Sequence, residues 1–224
     1  MVNRFGARFV AASSNHESRC MPSSFHAEIP GHTLHVIQRG HGHAECFFSP
    51  DDRIAYLRWL GEYAHHTASC VHAYALMGNH VHLLITPSVR GGTAALMRLL
   101  QECHSRHVAE FWQREGLLWE EGFDATPVHI HRYVLACMRY IELNPVRARM
   151  VSRPEQFRWS SHRCNALGEE NELLTPHSAY AVLARSAPAR QAIYREMFRN
   201  VKPGGTRRRA AATDEQEAGF GFKG

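Results

Sequence analysis

The amino-acid sequence predicts an α+β domain of the ferredoxin-like class, an antiparallel sheet with helices on one face, followed by a small helical C-terminal extension. Two observations lead to this class. Strand-like and helix-like hydrophobic periodicities follow each other in the order β-α-β-β-α-β-α. Two of the strand-like runs are separated by a connection short enough for a hairpin. The 224 residues, 44% of them hydrophobic, are enough for one good core.

The first strand and the first helix are recognised by their different periods. Residues 32–39 alternate apolar side chains with others, and the run ends at Gly40. Ser49 is placed as the N-cap of a helix, with Pro50 at its first position and two aspartates in its positive first turn. An apolar stripe with helical spacing extends this helix to about residue 67.

Two further strands form the predicted hairpin. Residues 70–76 and 81–86 are strand-like, and residues 77–80 connect them. We expect Gly78 or Asn79 at positive φ, because a tight turn needs a residue that tolerates this conformation. The connection makes the two strands antiparallel neighbours.

The chain then predicts a long helix, an extended segment and another helix. Residues 93–113 carry apolar side chains at helical spacing, with Gly116 as the stop signal. A short extended segment is expected within residues 117–128. Residues 132–143 are predicted helical, and Pro145 is expected to end that helix because proline lacks a backbone N–H.

The remaining segments carry weaker signals. Short helices are expected within residues 166–200, whereas residues 1–24 and 201–224 lack periodicity and are predicted to be disordered. The six cysteines are spread out without a C-x-x-C pair, which argues against a zinc knuckle and a disulfide framework. No apolar run reaches the length of a membrane span and no secretory signal is evident, so we expect a cytoplasmic protein outside the membrane.

Positive charge is concentrated in one stretch. The chain has a net charge of +5, and between Arg132 and Arg163 seven arginines stand against two acids. Clustered guanidinium groups are typical of a phosphate-binding surface, because they pair with phosphate oxygens in a planar, bidentate geometry. The alternative is an ordinary solvated helix face.

The most informative motif is a pair of histidines in the second hairpin strand. His80 and His82 flank a single valine, so strand alternation places both imidazoles on one face and the neighbouring apolar side chains on the other. Two neutral imidazoles can bind zinc, manganese, cobalt, nickel or copper, but they leave a coordination shell incomplete. A further ligand has to come from elsewhere in the chain or from a substrate.

The last predicted helix carries a tyrosine and an asparagine on one face. Tyr140 and Asn144 are four residues apart, one helical turn from each other. An asparagine amide oxygen can bind a metal, and a tyrosine beside a cation can act as a nucleophile at phosphorus. The alternative is that Tyr140 is a packed core residue, which is the more frequent role of a tyrosine near a helix end.

Four blocks of sequence resemble one known family. Residues 35–40 (HVIQRG), 79–84 (NHVHLL), 139–148 (RYIELNPVRA) and 157–161 (FRWSS) resemble the single-tyrosine HUH transposases, specifically the REP-associated tyrosine transposases. The resemblance covers roughly residues 25–165, which would form the catalytic domain.

The resemblance implies a metal-dependent single-stranded DNA endonuclease and strand transferase. His80, His82 and Asn144 would hold Mg²⁺ or Mn²⁺, and Tyr140 would attack the scissile phosphate to give a 5′-phosphotyrosine. The expected partner is single-stranded or hairpin DNA formed by palindromic repeats, bound by a monomer or a homodimer. The arginines would then clamp the DNA backbone, and the candidates are Arg39, Arg132, Arg139, Arg147, Arg149 and Arg158. Trp119, Phe157 and Trp159 are expected either to stack on unpaired bases or to belong to the core.

The sequence departs from the family pattern in two places. The family tends to carry Asn-Asn-Arg after Gly40, where this chain has His-Gly-His, and Gly-Arg-aromatic-Lys after Glu120, where it has Glu-Gly-Phe-Asp. The loss of basic groups is expected to weaken DNA binding and to flatten its salt dependence. The alternative function is therefore a DNA-hairpin-binding regulatory or domesticated protein with weakened chemistry.

Two other hypotheses are set against these. A zinc-dependent hydrolase unrelated to DNA would act without Tyr140, and it explains neither Asn144 nor the arginines. The motif His129-Ile130-His131 is a second histidine pair, but it lies at a predicted junction of loop and helix without a strand to align its rings.

Overall fold

A computed structural model describes residues 28–128 and 130–199 of the chain, without the side chain of His131. Its sheet has four antiparallel strands in the order β2-β3-β1-β4. The strands are β1 (Leu34–Arg39), β2 (Ser69–Leu76), β3 (His80–Pro87) and β4 (Asp124–Pro127). The helices are α1 (Pro50–His66), α2 (Gly92–Trp112), α3 (His131–Arg147), α4 (His162–Leu167), α5 (Ser178–Ala181) and α6 (Ala187–Glu196).

The element order and the strand order are those of the ferredoxin-like unit, so the predicted fold class is confirmed. The predicted disordered segments, 1–24 and 201–224, lie outside the described residues. Within the described part of the chain, no helix is both long and apolar enough to cross a membrane.

One face of the sheet is covered by α1 and α2. Alternate side chains of β3, including Val81 and Leu83, pack there against Leu60 of α1 and Leu100 of α2. Helix α1 begins as predicted, because the Ser49 side chain accepts the backbone N–H of the third helical residue in a capping box. This face is the main core of the domain.

The opposite face is covered by α3 and the small C-terminal helices, whereas helices were predicted on one face of the sheet only. The β2 side chains on this face are small, Ala73 and Ala75, and they leave room for Met138 and Ile141 of α3. An apolar helix side that finds such a shallow surface gains burial by packing on it. The sheet is therefore covered by helices on both faces, and α3 is brought against β2 and β3.

The hairpin between β2 and β3 is closed differently from the prediction. Neither Gly78 nor Asn79 has positive φ. The backbone N–H of Met77 donates to the His80 carbonyl at 2.9 Å, and the Gly78 carbonyl accepts the N–H of Cys46 at 2.9 Å. Contacts with the preceding loop hold the turn, so a left-handed residue is not required.

Helix α3 continues past its proline, and the prediction that it ends before Pro145 is wrong. Pro145 has no N–H to donate to the preceding turn. The Asn144 side-chain amide donates to the Tyr140 carbonyl at 3.1 Å, and the Ala148 N–H donates to the Asn144 carbonyl at 2.8 Å. The extra turn places Arg147 on the same helix as Tyr140 and Asn144.

A buried carboxylate joins α3 to the C-terminal helices. Glu142 is fully buried, and its oxygens accept hydrogen bonds from Ser161 at 2.6 Å, Asn165 at 2.8 Å and the Tyr194 hydroxyl at 3.1 Å. The His162 ring lies 3.1 Å away on the same carboxylate. A buried carboxylate with this many partners is satisfied and costly to disturb, so the network holds α3 in place.

Candidate functional site

Two histidine rings on β3 converge on one point. His80 and His82 lie two residues apart, so both side chains leave the face of the sheet opposite Val81 and Leu83, as predicted. Their Nε2 atoms are 3.1 Å apart, and the two rings stand at an interplanar angle of 84°. His82 is buried and His80 is half-buried.

Each of these rings is held through its other nitrogen. His80 Nδ1 donates to the side-chain oxygen of Asn79 at 2.7 Å, and the Asn79 amide nitrogen is engaged with the His43 carbonyl at 3.2 Å. His82 Nδ1 lies 3.0 Å from Nε2 of His35, a residue of β1, and the two rings stack with centroids 5.2 Å apart. Both Nε2 atoms are thus directed at each other by partners on the far side of the rings.

This arrangement fits a divalent cation. Two nitrogens bound at about 2.1 Å to neighbouring positions of one metal lie roughly 3.0–3.4 Å apart, and the observed Nε2 separation of 3.1 Å agrees with this range. Within residues 28–128 and 130–199, no group of three or more His, Cys, Asp or Glu side chains is arranged to hold a metal. A third protein ligand from these residues would be of another type, as the hypothesis for Asn144 requires.

Burial keeps the inner rings neutral. Desolvation lowers the pKa of His35 to about 4. Desolvation also lowers the pKa of His82 well below its ordinary value, and the neighbouring His35, His80 and Arg39 add to this effect. Both rings are therefore neutral at pH 7, and neutral imidazole is the charge state that a metal ligand such as the proposed His82 requires.

Helix α3 brings Tyr140 beside the histidines. The Tyr140 ring meets His82 edge-on, with centroids 5.9 Å apart, and meets His35 in the same way at 5.8 Å. The Arg147 guanidinium lies 4.6 Å from the centre of the Tyr140 ring. Asn144 stands one turn further along the helix and is half-buried, with its amide nitrogen turned to the Tyr140 carbonyl. The role of Asn144 as a ligand stays a prediction.

The predicted DNA-binding arginines divide into two groups. Arg39 forms an ion pair with Asp124, and Arg139 donates to the Met197 carbonyl at 2.6 Å, so both are engaged within the protein. Arg132, Arg149 and Arg158 are exposed, and Arg147 is exposed beside Tyr140. Four of the six candidates are therefore exposed at the surface, although Arg132 also donates to the Tyr133 hydroxyl at 3.0 Å.

The aromatic candidates are mostly core residues. Trp119 is 1% exposed and Phe157 is 6% exposed, so neither presents a face for base stacking. Trp159 is half-buried, with the Arg158 guanidinium 4.5 Å from its ring centre. Of the second histidine motif, His129 lies outside the described residues and the side chain of His131 is not described.

His35 belongs to the site, but no motif of the sequence assigns it a role. Its strand alternation places it on the same side as Ile37, opposite the apolar core, and Ile37 pairs with His82 in the antiparallel register. The signal was thus present in the alternation of β1. It could be used only once the pairing of β1 with β3 was known.

A sequence profile of the IS200-like transposases matches residues 29–144, more than half of the chain. The chain belongs to the IS200-like transposase family. The matched segment runs from before β1 to Asn144 and contains both histidines and Tyr140. Membership in this family indicates a transposase-like role in DNA processing.

A solved structure shares its fold. The structure of a REP-associated tyrosine transposase bound to a REP hairpin has a TM-score of 0.56 and 16% identity, covering 71% of this chain and 96% of that one. A putative transposase from Deinococcus radiodurans has a TM-score of 0.36 and 19% identity, covering 49% of this chain and 88% of that one. A comparison with curated proteins gives no match.

Proposed function

We propose that this IS200-like transposase is a metal-dependent endonuclease and strand transferase for single-stranded DNA. The observation that carries the proposal is the convergence of His80, His82 and Tyr140, which come from one strand and a helix distant in sequence. Strand cleavage needs a cation beside a nucleophile, and this arrangement supplies candidates for both. A zinc hydrolase without a tyrosine would leave the placement of Tyr140 unexplained.

His80, His82 and Asn144 would hold Mg²⁺ or Mn²⁺. When bound, the cation polarises the scissile phosphate and stabilises the charge that develops on its oxygens. The two histidines contribute through their Nε2 atoms, and Asn144 contributes through its amide oxygen because its amide nitrogen bonds the Tyr140 carbonyl.

Tyr140 would perform the covalent step. Its hydroxyl oxygen forms a bond to phosphorus and loses its proton, while the bond from phosphorus to the 3′ oxygen breaks and that oxygen takes up a proton. The products are a 5′-phosphotyrosine and a free 3′-hydroxyl. Attack of a 3′-hydroxyl on the phosphotyrosine reverses the step and joins strands without ATP. Arg147 stacks on Tyr140 and would supply a positive charge to the phosphate that Tyr140 attacks.

The proposed partner is DNA that forms a hairpin with a single-stranded flank. The fold likeness to a transposase bound to a REP hairpin supports this choice. Arg132, Arg149 and Arg158 are exposed and would contact phosphates, whereas Arg39 is already paired with Asp124. That internal pair favours the second candidate function, a hairpin-binding protein with weakened cleavage.

A covalent complex separates the two candidates. The protein is incubated with a hairpin oligonucleotide and Mn²⁺, and a DNA adduct that survives denaturant is sought on a gel. We expect an adduct that Tyr140→Phe abolishes without loss of DNA binding. Tyr63→Phe is the matched control, since Tyr63 lies on α1 with its hydroxyl 3.0 Å from Cys103, away from the proposed site, and should keep the adduct. Binding without any adduct supports the regulatory function, and an adduct that persists in Tyr140→Phe excludes Tyr140 as the nucleophile.

A further inference from the structure

The ring nitrogens of three histidines form a continuous chain from Asn79 to β1. Asn79 Oδ1 is next to His80 Nδ1, His80 Nε2 is next to His82 Nε2, and His82 Nδ1 is next to His35 Nε2. A neutral imidazole has one N–H donor and one acceptor nitrogen. The positions of the hydrogens along this chain are therefore linked.

Without a cation, the hydrogen bonds that link Asn79, His80, His82 and His35 can all form with only one assignment of donors and acceptors. His80 carries its hydrogen on Nδ1, because the Asn79 oxygen can only accept. His80 Nε2 is then an acceptor, so His82 donates to it from Nε2 at 3.1 Å. With its hydrogen on Nε2, His82 accepts at Nδ1, and His35 donates to it from Nε2 at 3.0 Å.

If a cation is bound by both Nε2 atoms, the ring hydrogen has to change its nitrogen in two residues, His82 and His35. His82 must then carry its hydrogen on Nδ1 and donate it to His35, which must accept at Nε2 and carry its own hydrogen on Nδ1. Each ring keeps one hydrogen, exchanged through solvent, so no proton is released and nothing is oxidised or reduced.

We propose that His35 is the positioning residue of the metal site, and that cation binding switches the tautomers of His35 and His82 together. The proposal rests on the proposed function, since it takes His80 and His82 as metal ligands. His35 acts by accepting the Nδ1–H of His82, which leaves His82 Nε2 free of hydrogen and aimed at the cation.

The packing of His35 supports this role. His35 is 8% exposed, and its ring stacks on His82 at an interplanar angle of 19°. Its edge-on contact with Tyr140 makes it a residue that touches both a proposed ligand and the proposed nucleophile. A phenylalanine in its place could stack in the same way but could not accept a hydrogen bond.

The affinity for Mn²⁺ tests the positioning role. Free Mn²⁺ is measured by its EPR signal during titration of the full chain, without DNA. We expect His35→Phe to weaken Mn²⁺ binding by roughly 10–100-fold, and His35→Gln to restore most of it because a glutamine side-chain oxygen can accept from His82. His107→Phe is the matched control, as His107 bonds Asp52 on the other side of the sheet and should leave Mn²⁺ affinity unchanged.

Three results have distinct meanings. Unchanged affinity in His35→Phe, with affinity lost in His80→Ala, overturns the role of His35 and leaves the proposed function intact. Unchanged affinity in His80→Ala overturns the metal site of the proposed function itself. Weakening in His35→Phe with rescue in His35→Gln supports the inference.

NMR of the unmodified protein tests the tautomer switch without relying on a variant that folds. Long-range ¹H–¹⁵N correlation spectra of histidine rings distinguish a hydrogen on Nδ1 from one on Nε2. We expect His82 and His35 to move their hydrogens from Nε2 to Nδ1 when Mg²⁺ is added, while His72 keeps its tautomer. A His82 that retains its Nε2 hydrogen in saturating Mg²⁺ overturns the proposal.

Discussion

Two histidine clusters on the same face of the sheet differ in how their ring nitrogens are hydrogen-bonded. One is the site cluster of His35, His80 and His82. The other, which we term the threonine-linked network, contains His72, His177, Thr33 and Thr86. Both contain imidazole rings next to other polar groups, and of the two only the site cluster has a pair of Nε2 atoms that face each other, 3.1 Å apart.

The threonine-linked network begins at a backbone donor on α5. The Ala179 N–H donates to His177 Nδ1 at 3.0 Å, so His177 carries its ring hydrogen on Nε2. That hydrogen is donated to the Thr33 hydroxyl oxygen at 2.9 Å. The direction of the first two bonds follows from the backbone group alone.

The network ends at a backbone acceptor. His72 Nδ1 donates to the Thr175 carbonyl at 2.7 Å, so His72 Nε2 accepts from the Thr86 hydroxyl at 2.8 Å. The Thr33 hydroxyl then donates to Thr86 at 2.8 Å and completes the chain. Every donor has an acceptor in one arrangement only, which is the behaviour of a structural network.

Without a cation the site cluster also has one arrangement of its hydrogens, but unlike the threonine-linked network it admits a second one. Its two Nε2 atoms face each other, and the hydrogen between them can be replaced by a cation if His35 accepts in turn. Burial and hydrogen bonding therefore do not by themselves distinguish structural histidines from candidate metal ligands. What separates them is whether two lone pairs can be directed at one point.

The largest expected contrast comes from alanine substitutions in each cluster. His82→Ala should abolish Mn²⁺ binding and the DNA adduct because a proposed ligand is lost. His177→Ala should leave Mn²⁺ affinity unchanged and lower the unfolding free energy by about 1–3 kcal/mol, because it removes two hydrogen bonds of the network. EPR titration and thermal unfolding measure the two effects. If His177→Ala weakens Mn²⁺ binding as strongly as His82→Ala does, the two clusters are not functionally distinct.

An intermediate effect is expected from pH, which acts on both clusters. Burial lowers the pKa of His35 to about 4 and also lowers that of His72. Above pH 6.5 these rings are neutral in the folded and unfolded chain, and below it the unfolded chain takes up protons that the folded chain does not. The unfolding free energy should therefore fall between pH 6.5 and 4, by about 1.4 kcal/mol per pH unit for each such ring while it stays neutral in the folded chain.

Denaturant unfolding at a series of pH values measures this loss. A double variant of the exposed pair, His65→Gln with His66→Gln, is the control and should keep the same slope. A free energy of unfolding that stays constant from pH 6.5 to 4 would contradict the neutral state of the buried rings in both clusters.

The smallest expected effect concerns the charge at the edge of the site cluster. Arg39 pairs with His80 in the strand register and is bound by Asp124. Asp124→Asn should free this arginine for a phosphate, raise hairpin affinity several-fold and steepen the salt dependence by roughly one unit of log–log slope. Fluorescence anisotropy at several salt concentrations measures both changes. Glu62→Gln, an equal change of charge at an exposed position on α1, is the control, and equal gains in both variants would remove the special role of Arg39.

Local signals in the sequence predicted most of the fold. The Ser49 cap, the period-two alternation of residues 81–86 and the short connection before them depend on neighbours in the chain, and the structure confirms each element. The errors arose where distant contacts decide. Helix α3 passes Pro145 while packed on the small side chains of β2, and the hairpin turn is held by the loop near Cys46.

The candidate site was predictable only where local sequence patterns determine the placement of a residue. Alternation alone placed His80 and His82 on one face, whereas the pairing with Tyr140 came from the family resemblance and not from spacing. His35 was missed because its partner lies on another strand, and the register of β1 against β3 is a non-local property. The number of arginines in the sequence likewise could not show that Arg139 bonds the Met197 carbonyl and that Arg39 pairs with Asp124.

The continuation of α3 through Pro145 has a mechanical consequence. Tyr140, Asn144 and Arg147 are spaced by the pitch of one unbroken helix, so a displacement of α3 moves the proposed nucleophile, the amide and the guanidinium together. The position of α3 against strand β3 therefore determines whether all three side chains lie next to the histidines. The buried Glu142 of α3 holds the helix in this position through its hydrogen bonds to Ser161 and Tyr194.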